Sequence, residues 1–166
     1  MTDEKERTRR KFLYAVGGAG IISAAGLACR RSQMESPIQV VRRFCAAWSA
    51  DAGAAELAAF FTDDAVYHNI PLPPVSGRAA IAKNFASFIR PGAPGIETLH
   101  LRIVNIAANG PVVLTERVDS FKLPAKTFEL QVMGTFEVSG GKISAWRDYF
   151  DLNQFTSRSG IPPGNS

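Results

Sequence analysis

Three short stretches of this chain set polar residues two apart in otherwise apolar surroundings. Tyr67 and Asn69 stand in the first, Arg117 and Asp119 in the second, and Trp146, Asp148 and Phe150 in the third. On an extended strand, residues two apart project from the same face, so each set reaches one place together. A guanidinium presents five N–H donors in a planar fork, enough for Arg117 to bridge Asp119 and Asp148. Two carboxylates held by one arginine titrate as a coupled pair, in which one tends to stay protonated while the other ionises. That split supplies an acid and a base at the same pH.

The pattern leaves open which face is inside. Val113, Thr115, Arg117, Asp119 and Phe121 alternate with Val112, Leu114, Glu116, Val118 and Ser120, and Ile143 and Ala145 alternate with Ser144, Trp146 and Asp148. Neither segment has one clean apolar side. Two arrangements fit: a buried network, with Trp146 and Phe150 drawing Asp148 inward, or an exposed Arg117–Asp119 ion pair with Asp148 on the surface. The buried arrangement requires mutual compensation, because an unpaired carboxylate in an apolar interior costs several kcal/mol. Tyr67 and Asn69 likewise read either as a hydrogen-bonded core pair or as a holder of water.

The elements that carry these residues follow from local signals. Ser36-Pro37 has the form of an N-cap followed by proline at the first helical position, and Ile38, Val41, Phe44, Cys45 and Trp48 recur at helical spacing to about Ala50. After Asp51-Ala52-Gly53 a second helix is expected over Ala54 to Phe61, then a turn at Thr62-Asp63-Asp64. A strand follows from Ala65 to Ile70, closed by Pro71, Pro73 and Pro74. Gly77-Arg78 opens a third helix, Ala79 to Ile89, stopped by Pro91-Gly92-Ala93-Pro94-Gly95. Glu97 to Ala107, Pro111 to Lys122, Phe128 to Val138 and Lys142 to Asp151 are strand-like, with hairpin turns at Asn109-Gly110 and Gly140-Gly141. Helices first and antiparallel strands last make the expected class α+β.

The 166 residues, 46% hydrophobic and 20% charged, suit one globular domain. Of the 19 basic and 15 acidic residues, five and three fall in the first 28, leaving 14 − 12 = +2 for the remainder. So small and dispersed a charge argues against nucleic acid as a partner. Residues 1–28 have a charged start and then an uncharged Gly- and Ala-rich stretch, the layout of a targeting segment. Thr8-Arg9-Arg10-Lys11-Phe12-Leu13 resembles the twin-arginine export signal. A permanent membrane span is the weaker reading, since Gly17, Gly18, Gly20, Ser23 and Gly26 dilute the apolar run. Gly26-Leu27-Ala28-Cys29 permits either cleavage after Ala28 or acylation of Cys29, as in a membrane-anchored lipoprotein. Export to the periplasm or another extracytoplasmic space is the expectation, with residues 29–36 a tether, 37–156 the domain and 157–166 a disordered tail. Cys45, flanked by Phe44 and Ala46, reads as a buried small hydrophobe. His68 and His100 lack metal-binding spacing, and no metal or cofactor is expected.

Ala65-Val66-Tyr67-His68-Asn69-Ile70-Pro71-Leu72-Pro73-Pro74, Glu116-Arg117-Val118-Asp119 and Trp146-Arg147-Asp148-Tyr149-Phe150-Asp151 together resemble the limonene-1,2-epoxide hydrolase family, with the likeness running from about Ile38 to Phe155. The resemblance implies a nuclear-transport-factor-2-like, SnoaL-like cone: a curved mixed, mostly antiparallel sheet wrapped by about three N-terminal helices around a deep apolar pocket, often as a homodimer. It also implies hydrolysis of an apolar epoxide to a vicinal diol in one step, without metal or covalent intermediate. Asp148 is then the general base toward a water also held by Tyr67 and Asn69. Asp119 is the general acid, and Arg117 lies between the carboxylates. Candidate pocket walls are Phe85, Phe88, Phe121, Leu123, Phe128, Met133, Phe136, Phe150 and Phe155. Two other functions fit such a cone: an isomerase or cyclase using Asp148 and Tyr67, and a non-enzymatic module that binds apolar ligands and is indifferent to Asp148.

Overall fold

Ser36 starts the first helix by a reciprocal exchange with Gln39. The Gln39 backbone N–H donates to Ser36 Oγ at 3.4 Å, and the Ser36 N–H donates to Gln39 Oε1 at 3.1 Å. Both bonds satisfy donors that a helix start leaves open. The computed structural model describes residues 35–49, 52–88 and 95–162, without the Phe88 side chain. The export signal, Cys29, most of the tether, Ile89, Pro91 to Pro94 and the last four residues lie outside the described residues.

The elements run α1 (Pro37–Ser49), α2 (Ala54–Ala58), β1 (Phe61–Ile70), β2 (Val75–Ser76), α3 (Arg78–Phe88), β3 (Thr98–Asn109), β4 (Val112–Leu123), β5 (Lys126–Ser139), β6 (Lys142–Tyr149) and α4 (Leu152–Ser159). One six-stranded sheet has the order β2-β1-β6-β5-β4-β3. β3 to β6 form an antiparallel meander, and β1 lies parallel to β6. Gly110, Gly140 and Gly141 sit at φ of 58°, 57° and 77°, the left-handed conformation that the two tight hairpins need. The curved, unclosed sheet with α1 and α3 against it, and α2 packed on those two helices, is the α+β cone that the resemblance implies.

Phe44 of α1 is the hub of the core. Its ring meets Phe61, Phe136 and Trp146 edge-on at centroid distances of 5.3, 6.2 and 5.0 Å, the arrangement that aromatic quadrupoles favour. Trp48 extends the cluster to Phe85 of α3 at 5.0 Å. Cys45 is buried beside them, and burial pushes its thiol up to about 12, so it packs as an apolar group. Val66, Val104, Leu114, Met133 and Tyr149 are exposed.

Three local expectations differ from the structure. The second helix ends at Ala58, and Thr62-Asp63-Asp64 is strand rather than turn. Phe61 is drawn into the core and pairs with Ile143, whose N–H donates to Phe60 O at 2.8 Å, so tertiary pairing overrides the turn propensity of two aspartates. β2, a two-residue strand against Val66 and Tyr67, has no counterpart in the sequence reading. Finally, residues 157–159, placed in the tail, belong to α4. Asp151 caps this helix by accepting from the Gln154 N–H at 2.9 Å, and Gly160 closes it at φ 75°.

Candidate active site

Burial along β4 alternates cleanly, and Val113, Thr115, Arg117, Asp119 and Phe121 all point inward. The buried arrangement is therefore the one adopted. On β6 the inward set changes parity: Ile143 faces in, and so do Trp146 and Asp148. A register shift against β5, where Glu137 pairs with Ala145 but Val138 with Ile143, makes Ser144 the extra residue of a bulge. One inserted residue turns the following side chains to the other face. That bulge brings Asp148 into the cone.

Hydrogen-bonding register then lines up the site. Asn69 of β1 pairs with Asp148 of β6, Asp148 with Gly134 of β5, and Gly134 with Thr115 of β4. Tyr67, Trp146 and Phe136 form the adjacent row. The Arg117 guanidinium has an acceptor for every N–H. Nε and Nη2 donate to Asp119 Oδ1 and Oδ2 at 3.1 and 3.0 Å. Nη1 and Nη2 donate to Asp148 Oδ1 and Oδ2 at 3.1 and 2.7 Å. The remaining N–H of Nη1 reaches Thr115 Oγ1 at 3.3 Å. Trp146 Nε1 adds a third donor to Asp148, at 2.6 Å from Oδ1. Relative exposures of 0, 4 and 5% for Arg117, Asp119 and Asp148 make this a buried ion network rather than a surface pair. The Asn69 amide donates to the Tyr67 hydroxyl at 2.6 Å.

Electrostatics separates the groups. Burial pushes the Asp119 carboxyl up to about 6, and Asp148 adds to the rise while Arg117 opposes it. Burial works against the charge of Arg117, yet Asp148 and Asp119 together hold it firmly protonated. Burial and the Asp148 charge raise the Tyr67 hydroxyl well above its ordinary value, which keeps it a donor. Hydrogen bonding is also unequal: Asp148 accepts three N–H donors and Asp119 two. More donors favour the ionised acceptor, and each oxygen of Asp119 keeps a lone pair for a proton.

Tyr67, Asn69, Asp119 and Asp148 line a cleft of about 780 Å³, counted with its open mouth. Leu72, Leu99, Leu101, Leu130 and Val132 make much of its remaining wall. Among the expected aromatic walls, Phe85, Phe121, Phe150 and Phe155 line it. Phe128 stacks on Phe121 at 4.9 Å, and Phe136 is packed on Trp146 in the core. Met133 is the clear exception: it is 51% exposed and faces away from the cleft, because the inward residues of β5 are the even-numbered ones. Leu152 and Phe155 of α4 line the cleft, and so do Ile161 and Pro162, which the sequence placed in a disordered tail. Thr115, Gly134 and Trp146 were also missed as partners of the network. The available signal was Gly134 itself, since a glycine inside a strand often marks a close approach.

A cone whose concave face buries an acid–arginine–acid network beside a tyrosine–asparagine pair defines a narrow class. The model of the limonene-1,2-epoxide hydrolase catalytic domain matches residues 35–159, and the chain belongs to that family. It is 37% identical over 92 residues to Epoxide hydrolase EphG of Mycobacterium tuberculosis (strain ATCC 25618 / H37Rv), a match covering 54% of this chain and 57% of that protein. The chain thus spans little more than half the length of that curated relative. A solved LEH-like epoxide hydrolase of M. tuberculosis is 30% identical, with a TM-score of 0.63 over 73% of this chain and 86% of the other. A SnoaL-like polyketide cyclase structure from Jannaschia sp. CCS1 is 15% identical with a TM-score of 0.65, covering 82% and 100% of the two chains, and shares the fold.

Proposed function

We propose that this protein is an epoxide hydrolase that adds water to an apolar, terpene- or lipid-like epoxide to give a vicinal diol in one acid–base step. The observation that carries the reading is the pair of buried carboxylates bridged by Arg117 at the wall of an apolar cleft. Asp148 takes a proton from a water also held by Tyr67 and Asn69, and that water attacks an epoxide carbon. As the carbon–oxygen bond breaks, Asp119 gives its proton to the departing oxygen, so no free alkoxide accumulates. Fixing the water makes the attack effectively intramolecular. The step leaves Asp148 protonated and Asp119 ionised, and proton exchange within the pair or with solvent restores the start.

The test is diol formation from a panel of cyclic terpene, aryl and fatty-acid epoxides, run beside Asp148→Asn. Diol that disappears in the variant supports the reading. No turnover across the panel, with apolar ligands bound equally by both proteins, overturns it in favour of a binding module. We also propose that the protein works outside the cytoplasm after twin-arginine export, supported by Arg9-Arg10 and the uncharged run that follows. Replacing both arginines by lysine is expected to leave the protein in the cytoplasmic fraction.

A further inference from the structure

Gly134 lies mid-strand on β5, between Asp148 and Thr115 in the sheet, and Arg117 leans across from a neighbouring position of β4 into the space above it. A Cβ at this position would stand 2.4 Å from Arg117 Nη1, 2.7 Å from Thr115 Oγ1 and 2.9 Å from Asp148 Oδ1. These three atoms are already bonded to one another through Nη1, inside a packed interior, so none can give way freely. The missing side chain is the room in which one guanidinium nitrogen sits.

Thr115 closes the same corner. A guanidinium has three edges, and Asp119 occupies the Nε–Nη2 edge while Asp148 occupies the Nη1–Nη2 edge. The last N–H, on Nη1, goes to Thr115 Oγ1, which itself donates to Gly134 O at 3.4 Å. Thr115 is 1% exposed, so no solvent replaces it. We propose that Thr115 and Gly134 are positioning residues that pin Nη1 of Arg117 against Asp148 and thereby set how the guanidinium is shared between the two carboxylates. They touch no reacting atom. Without them the fork to Asp119 survives, because it uses Nε and Nη2, while the arm to Asp148 is displaced.

For its effect on rate, this inference rests on the hydrolase reading; for its effect on protonation, it does not. The experiment uses the whole protein with carboxyl-labelled aspartate, titrated by NMR as wild type, Thr115→Val, Thr115→Ser and Gly134→Ala, alongside kcat and KM on an epoxide that the wild type converts. Thr115→Val keeps the volume and loses the hydroxyl. Its kcat is expected to fall about tenfold with KM little changed, the loss typical of one hydrogen bond to a charged group. With Arg117 shifted toward Asp119, the Asp119 titration and the alkaline limb of the rate profile move to lower pH. Thr115→Ser restores both readouts, and Gly134→Ala gives the larger effect, about a hundredfold or more if the Asp148 arm is lost. The proposal is overturned if Thr115→Val titrates and turns over like wild type, or if Thr115→Ser falls as far as Thr115→Val, which would make the methyl group the feature that matters. If the wild type converts no epoxide, the hydrolase reading fails, and the titration still decides the positioning.

Discussion

Asp148 and Arg147 are neighbours on β6, and the two faces of the sheet treat them oppositely. Arg147 points outward and pairs with Glu137 at 2.6 Å, with side chains 31 and 44% exposed. Asp148 points inward and accepts three N–H donors at the wall of the cleft, where it is 5% exposed. Both join an arginine to carboxylates, yet water screens the outer one and leaves it worth little. The inner network has exchanged solvation for fixed donors, so its protonation is controlled by geometry. A buried charge cluster in a small domain thus points to chemistry, whereas the outer pair serves solubility and local order.

The largest expected difference between the faces comes from Asp148→Asn, which keeps the shape and removes the proposed base. Diol formation is expected to drop by about a thousandfold or more, near the upper range for a general base. Arg117→Met tests the other side of the comparison by leaving two buried carboxyls without their cation. Urea unfolding is expected to show a loss of about 3–5 kcal/mol, the usual result of breaking a buried pair, and the loss grows with pH as the carboxyls ionise. If Arg117→Met were as stable as wild type at neutral pH, the two inner carboxyls would not depend on Arg117 for their compensation.

Asp119 gives the comparison a pH signature. Burial raises its carboxyl from 3.8 to about 6, so between those values the folded protein holds a proton that the unfolded chain releases. Its contribution to stability is full below about 4 and is lost as pH rises through about 6. Activity that depends on protonated Asp119 declines over the same upper limb, and Asp119→Asn removes this contribution to the slope of stability against pH. Tyr67→Phe keeps the ring against Trp146 at 4.6 Å and deletes only the hydroxyl. An effect on kcat of about tenfold to a hundredfold is expected if the proposed contact to water is lost, with a thermal midpoint close to wild type. Arg147→Ala is expected to do least, with turnover within about twofold and stability within about 1 kcal/mol. A large effect there would erase the distinction between the faces.

Much of this was legible in the chain. The Ser36–Gln39 cap, the glycine hairpins and the α+β order are local features, written in residues a few positions apart. The residues of the site were legible as types with a spacing: an arginine two before an aspartate, and an aspartate between two aromatics. Their face was not legible, because Ser144 looks like any polar strand residue, and only pairing with Glu137 and Val138 makes it a bulge. Phe155 was legible as a candidate wall, and it packs against Phe121 and Phe128 at 5.6 and 6.1 Å, but Ile161 and Pro162 beyond it lie in a Ser- and Gly-rich stretch that resembles a tail and yet line the cleft.

The sequence by itself determined the starts of α1 to α3, the two glycine hairpin turns and the inventory of acids, arginine and aromatics, because those depend on backbone preference and side-chain chemistry within a few residues. Tertiary structure alone decided that Asp148 turns inward, that Gly134 leaves room for Nη1, and that α4 walls the cleft. Each of these depends on pairing or packing between different elements, fixed by strand register and close packing, to which the pattern within one element is not sensitive.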